Sequence, residues 1–317
     1  MSPGQIQVTC IGGATVDRKY RAGKPVQLRT SNPVTSERSF GGVARNVAEN
    51  IARLGVKSSL VSLLGRDEDG NAIRRDLMRL GIGTQHLATS GEHPTAEYVA
   101  ILGPDGDLAL GLADMAIFDS LSPSLLHQVW PETSSSWVFA DCNLPSPTLH
   151  DLLDLARRDA RMLAIDAVST LKVMRLPRDL NGVGLLFLNL DEAQAFLGHP
   201  STSPRETATA LLECGAARVV LTLGAGGLIA MDRTAFTSVA SMPAKVVDAT
   251  GAGDALIGGT LAALFRGQSL AEAVRTGTVA AALTVECPHS VRPDLSPALL
   301  ASALARCAGQ KAEGEFS

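Results

Sequence analysis

Residues 246–265 read VVDATGAGDALIGGTLAALF, and this stretch decides the fold. Three residues with little or no side chain, Gly251, Ala252 and Gly253, stand directly before an acid, Asp254, and an apolar helical run follows at once. Such a loop leaves backbone N–H groups free while the positive end of the helix dipole faces the same point, a combination that binds phosphate or a developing oxyanion. Gly251 and Gly253 allow the close approach this needs. Asp254 reads in two ways, as a cap accepting backbone hydrogen bonds or as a carboxylate aimed into the cradle. The stretch is not a Walker A loop, and GAGDALIG lacks the G-x-G-x-x-G spacing of a dinucleotide site. Its place near the C-terminus also argues against the first turn of a dinucleotide fold.

Upstream, the apolar runs SSLVSLLG, SWVFADCN, RMLAIDAV, GLLFLNL and RVVLTLG are separated by helix-length segments. That alternation predicts an α/β protein whose mostly parallel sheet is covered on both faces. Between Gly42 and Gly55, Val43, Val47, Ile51 and Leu54 follow helical spacing, and Asn46 and Asn50 share another face of that helix. Two segments, about 16–39 and 95–116, lack the alternation. The second, TAEYVAILGPDGDLALG, predicts two strands joined by a Pro-Asp-Gly turn. Together the two segments are expected to form a small sheet beside the core of a single domain spanning residues 1–317.

The balance of 28 Lys and Arg against 32 Asp and Glu, with no long basic run, argues against a nucleic-acid or membrane-surface binder. A small-molecule substrate is expected instead. The five cysteines, Cys10, Cys142, Cys214, Cys287 and Cys307, show neither zinc spacing nor a disulfide framework. No charged leader with an apolar core and no bilayer-length apolar run is present, so a soluble, cytoplasmic protein is expected.

Four motifs occur in order along the chain: GGVARN (Gly41, Gly42 and on to Asn46), NLDE (Asn189 to Glu192), TLGAGG (Thr222 to Gly227) and DATGAGD (Asp248 to Asp254). As an ordered set covering nearly the whole chain, they resemble the ribokinase-like (PfkB) family of sugar and nucleoside kinases, with Ala249 where the family usually has Thr. The resemblance implies a three-layer α/β/α core with a small β-sheet lid, and ATP-dependent transfer of a phosphoryl group to a primary hydroxyl. It implies that Asp254 accepts the hydroxyl proton, while Gly251, Ala252 and Gly253 form the anion hole, with the amides of Ala252 and Gly253 on the phosphoryl oxygens. A loose phosphoryl-transfer transition state asks mainly for positioning and charge stabilisation, so a carboxylate of ordinary pKa would serve. Asn189 and Glu192 are implied to order Mg²⁺ through water. Asn189, Thr222, Gly224, Gly226 and Gly227 would hold the nucleotide. Without the resemblance, Asn189 and Glu192 read as a strand end and helix cap, and TLGAGG as a hairpin turn. Many members also bind K⁺ with carbonyls and an acid, and Asp248 and Thr250 are the matching positions; a solvated turn acid is the other reading of Asp248.

Asp17, Gly41, Gly42 and Asn46 match the positions at which the family grips ribose hydroxyls, and a carboxylate with an amide suits a vicinal diol. The alternative for Asn46 is an exposed helix residue paired with Asn50. Within the family, TSNPV, FGGVARNVAENIARLG, LADM, VFADCNL, AVSTLK and RPDLS look closest to members that phosphorylate pseudouridine at its 5′-hydroxyl. Ser31, Thr95, Asp114 and Lys172 are candidates for contact with base or sugar, Lys172 reading equally as a surface helix residue. A lid implies protection of ATP from water and, often, a homodimer interface. Another sugar or nucleoside kinase is the nearest alternative reading, and a non-catalytic nucleoside sensor is the alternative of another class.

Overall fold

Each of the apolar runs becomes a strand in the computed structural model, which describes residues 7–133, 135–200 and 203–314. In chain order the strands are β1 (Val8–Ile11), β2 (Thr15–Ala22), β3 (Val34–Gly41), β4 (Ser58–Gly65), β5 (Leu87–Ser90), β6 (Glu97–Leu102) and β7 (Leu108–Asp114). They continue with β8 (Trp137–Asp141), β9 (Met162–Asp166), β10 (Leu185–Asn189), β11 (Arg218–Thr222), β12 (Leu228–Asp232) and β13 (Phe236–Val239). One sheet has the order β13-β12-β11-β10-β9-β8-β1-β4-β5. It is parallel except where β12 and β13 turn back antiparallel.

The helices are α1 (Val43–Arg53), α2 (Glu68–Arg79), α3 (Pro123–Val129), α4 (Ser146–Arg158), α5 (Leu190–Leu197), α6 (Pro204–Glu213), α7 (Ala252–Phe265), α8 (Leu270–Val285) and α9 (Pro297–Gly314). They cover the large sheet on both faces. Helices α1, α2, α7, α8 and α9 pack into one apolar cluster, and α3 to α6 into the other. Along β10, Leu185 and Phe187 face the first cluster while Leu186 and Leu188 face the second. Burial on both sides is the reason these parallel strands are apolar without a break.

A second, four-stranded sheet has the order β3-β2-β6-β7, and its strands come from the two segments that lack the core alternation. The turn between β6 and β7 is closed by the Gly103 amide on the Asp107 carbonyl at 2.8 Å.

Helix α7 is buried without interruption from Ala255 to Leu264, which explains why it is apolar all round rather than on one stripe. A Cβ at Gly258 would stand 2.5 Å from Asn50 Cβ, so α7 crosses α1 almost backbone to backbone. This packing holds the start of α7 against α1, at the edge where loops leave the carboxyl ends of β1, β8, β9, β10 and β11. In open α/β sheets that edge is where ligands bind. Among the described residues, no helix is long and apolar enough to cross a membrane.

Candidate active site

Gly251 is the N-cap of α7 at φ 80°, and a Cβ there would lie 1.9 Å from the Ser290 carbonyl oxygen. Both the positive φ and the close approach demand glycine. Asp254 therefore stands inside the first turn, not at the cap, and its Oδ2 accepts a hydrogen bond from Asn46 Nδ2 at 2.8 Å. Of the two amides expected to form the anion hole, that of Gly253 has no partner among the described residues, while that of Ala252 makes a long bond to the Ala249 carbonyl at 3.3 Å. The Asp254 amide is also without a partner among the described residues, so the free donors lie slightly farther into the helix than the motif suggests.

Asn46 is buried, 4% exposed, and is not a surface residue of α1. The Arg45 guanidinium donates to Asn46 Oδ1 at 3.0 Å. Because arginine only donates, this contact turns Asn46 Nδ2 toward Asp254. Arg45 is itself held by Glu49 at 2.6 Å and Asp76 at 2.8 Å. One helical turn along, Asn50 donates to the Asn46 carbonyl at 2.9 Å and packs on Gly258. The contact between Asn50 and Gly258 thus sets the one between Asn46 and Asp254.

Two further acids close parallel strands. Asp141 ends β8 and Asp166 ends β9, in register with each other. Asp141 is fully buried; its Oδ2 accepts from the amides of Gly13 at 2.9 Å and Ala44 at 2.8 Å, and its Oδ1 from that of Asn143 at 2.9 Å. It supplies from another strand the cap that Gly42 cannot give α1. Sequence reading passed over both acids, although an Asp closing an apolar parallel strand is itself a signal for the ligand edge.

Asp166, Asn189, Glu192, Thr222, Gly251, Gly253 and Asp254 line one cavity of about 220 Å³. Asn189 and Glu192 form a capping box, each side chain accepting the other's backbone amide at 2.8 Å. The cap reading therefore holds, and it places Glu192 in the cavity wall. Thr222 reaches this wall, whereas Gly224, Gly226 and Gly227 form the turn between β11 and β12 beyond it.

The electrostatics of this edge depart from expectation. Burial, with the charges of Asp141 and Asp17 adding to it, outweighs the Asn46 hydrogen bond and pushes the Asp254 carboxyl up to about 7. An ordinary carboxylate was expected; taking Asp254 out of water among other acids makes its charge costly. Asp166 is raised well above the usual range by burial and then by Asp254, Glu192 and Asp141, and Glu192 is raised mainly by burial. Asp141 is raised by burial against the pull of its amides. No Lys or Arg forms an ion pair with any of these four carboxylates among the described residues.

On the other side of the 248–254 loop lies a cavity of about 680 Å³, lined by Asp17, Lys19, Glu37, Tyr98, Asp248 and Thr250 among others. Asp17 accepts from Thr15 Oγ1 at 2.9 Å, and burial raises its carboxyl. A Cβ on Gly41 would stand 2.1 Å from Asp17 Oδ2, so the first glycine of the GG pair makes room for that carboxylate. Gly42, at φ 92°, is closed in by the Gly13 carbonyl. Asp248 is not a solvated turn acid: Lys19 Nζ stands 2.5 Å from its Oδ2, and the Thr250 amide donates to its Oδ1 at 2.8 Å. With an ammonium already on the carboxylate, these residues do not fit a K⁺ ion.

The remaining candidates separate. Lys172 is half-buried beside the 3₁₀ turn Val173–Arg175 and donates to Asn143 Oδ1, and burial pushes its ammonium pKa down. Thr95 is committed elsewhere, with its hydroxyl and amide on Asp67 at 2.7 Å each and its Oγ1 accepting from the Gly65 amide at 2.9 Å. Ser31 is exposed in the loop before β3, and neither it nor Thr95 lines either cavity. Asp114 is exposed and pairs across the sheet with Glu97, whereas Asp17 pairs with Tyr98. Successive strand residues face opposite sides, so Asp114 looks away from the cavity that Asp17 faces.

The model of the pfkB family carbohydrate kinases matches residues 5–296. The chain is 29% identical over 295 residues to the pseudouridine kinase of Escherichia coli (strain K12), covering 91% of this chain and 93% of that one. Among solved structures, a carbohydrate kinase from Agrobacterium tumefaciens is 30% identical with a TM-score of 0.84, covering 95% of this chain and 97% of the other. The ribokinase of Arabidopsis thaliana complexed with ribose and ATP is 20% identical with a TM-score of 0.78, over 95% and 98% of the two chains. The fold is ribokinase-like.

Proposed function

The chain belongs to the pfkB family of carbohydrate kinases, and from that premise we propose that it transfers the γ-phosphoryl group of ATP to the 5′-hydroxyl of pseudouridine, giving pseudouridine 5′-phosphate and ADP. One observation carries this reading: the Asp254 carboxylate, aimed by Asn46, stands beside the unpartnered amides at the start of α7. Asp254 accepts the proton of the attacking hydroxyl, and a carboxyl near 7 is well matched to a base working at neutral pH. The amides of Gly253 and Asp254, with the helix dipole, stabilise charge on the transferring group.

Asn189 and Glu192 would hold Mg²⁺ through water. When bound, the ion neutralises phosphate charge, and the raised acids of this edge are a donor set that a divalent cation relieves. No group of three or more His, Cys, Asp or Glu converges on a point among the described residues, which favours water-mediated binding over a protein cage. Asp17 and the second hydrogen of Asn46 Nδ2 hold the vicinal hydroxyls of the ribose.

The choice of pseudouridine is supported by the similarity to the Escherichia coli pseudouridine kinase. Pseudouridine has an N–H where uridine has its glycosidic bond. An acceptor aimed at it would be left unpaired by uridine, which separates the two. The small sheet acts as a lid, and the exposed Leu110 and Leu112, on the face of its edge strand β7 turned away from the larger cavity, support a homodimer formed there, in the cytoplasm. A ribokinase-type activity uses the same base and anion hole, and the neighbour holding ribose and ATP supports it as the second reading.

The test is ADP release with ATP and Mg²⁺, comparing pseudouridine, uridine, cytidine, adenosine and ribose at equal concentration. Preference for pseudouridine is expected. Turnover on ribose instead would keep the mechanism and discard the substrate. Silence on all five from a folded sample that binds ATP would favour a nucleoside sensor.

A further inference from the structure

Lys19 and Asp248 are 229 residues apart, yet the Lys19 ammonium and Asp248 Oδ2 are the ion pair that joins the small sheet to the loop entering the anion hole. That loop is anchored on its other side, because the amides of Val247 and Asp248 both donate to the Val285 carbonyl, at 2.7 and 3.3 Å. Asp248 Oδ1 is occupied by the Thr250 amide, directly before Gly251. The carboxylate is therefore held in one orientation, half-buried, and a positive charge must meet it. Glu37 stands opposite Lys19 in the strand register and lines the same cavity, but the ammonium crosses to Asp248 instead.

We propose that the Lys19 ammonium takes the place of a monovalent cation at Asp248, so that the small sheet, and not K⁺, sets the path of residues 248–254. A tethered ammonium is a compact point charge with three donors, and it need not be recruited from solution. Asp17 lies two residues earlier on the same face of β2. The strand that presents an acid to the sugar cavity thus also presents the charge that orders the anion loop, and seating of the sheet is coupled to assembly of the site. The inference rests on the kinase reading only for its rate measurements.

Initial rates and melting temperatures are to be measured in KCl, NaCl and tetramethylammonium chloride at equal ionic strength. The unaltered protein should give rates within about twofold across the three salts and no K⁺-specific rise in melting temperature. Lys19→Met should lose about tenfold or more in tetramethylammonium, recover selectively with K⁺ and gain a K⁺-specific rise in melting temperature, whereas Lys19→Arg should stay indifferent to the salt. A K⁺-specific rise in the melting of the unaltered protein would overturn the proposal. So would a Lys19→Met variant as active in tetramethylammonium as its parent. The melting measurement needs no substrate, so it decides the matter if the substrate is misassigned or if the methionine variant fails to fold.

Discussion

At the carboxyl edge of the large sheet, Asp141, Asp166, Glu192 and Asp254 have no ion-pair partner among the described residues, and burial raises all four. Around the small sheet most of the acids near it are met by bases: Arg18 reaches Asp69 and Glu97, Arg38 reaches Asp69, and Lys19 reaches Asp248, while Asp17, facing the larger cavity, has no ion pair among the described residues and is raised by burial. At Asp248 burial pulls the pKa up, but Lys19 and Thr250 together outweigh it and leave the carboxyl below its usual range. Paired acids hold pieces of the fold together. Of the unpaired ones, Asp141 is engaged by backbone amides and caps α1, whereas Asp166, Glu192 and Asp254 line the cavity and store an electrostatic cost that a bound cation, a phosphoryl group or a proton can relieve, which marks a candidate site.

The sharpest way to break this contrast is Asp254→Asn. It should lower kcat by about three orders of magnitude or more while ATP affinity is kept, because a positioned base contributes roughly 10²–10⁴ and its loss also misplaces the hydroxyl. Near-normal kcat would reduce Asp254 to a helix-start residue. Asn46→Ala comes next: KM for the nucleoside should rise by about tenfold to a hundredfold with KM for ATP little changed. An equal rise for both would mean that Asn46 supports only the packing of α1 on α7.

A third measurement is the pH profile of kcat/KM. The base acts ionised, so activity should rise with pH through about 7. Asn46→Ala removes the hydrogen bond that favours the charged form and should move the acid limb higher. The same group acts on stability with a definite sign. Its folded pKa lies above the ordinary 3.8, so the native state keeps a proton that the unfolded chain has released, and stability falls as pH rises between those values. A limb near pH 4 would place Asp254 in the paired class. The smallest effect belongs to the small sheet: Arg38→Ala, which removes an exposed partner of Asp69, should change stability by no more than about 1 kcal/mol in a melting experiment.

How much of this was legible in the sequence depends on how local each cause is. The apolar runs and the helix after Gly42 follow from patterns a few residues long, and the strands match those runs closely. The glycines at 41, 42 and 251 signal close approach, although what approaches, Asp17, the Gly13 carbonyl and the Ser290 carbonyl, is not written beside them. Ser31 and Asp114 lie in short stretches that resemble the family and Thr95 is a candidate beside them, but an exposed loop position, strand parity and the Asp67 network, respectively for Ser31, Asp114 and Thr95, keep them out of both cavities.

The order of elements, the α/β class, and the glycine-rich loop that puts Asp254 in the first turn of a helix were determined by the sequence alone, because side-chain size and polarity act directly on the neighbouring backbone. The tertiary structure alone decided that Asp254 sits near 7, that Arg45 turns Asn46 toward it, that Asp141 caps α1 from another strand, and that Lys19 neutralises Asp248. Burial and long-range charge depend on which distant segments meet. Those meetings are set by packing α7 on α1 and folding the small sheet over the loop, not by any stretch of chain read by itself.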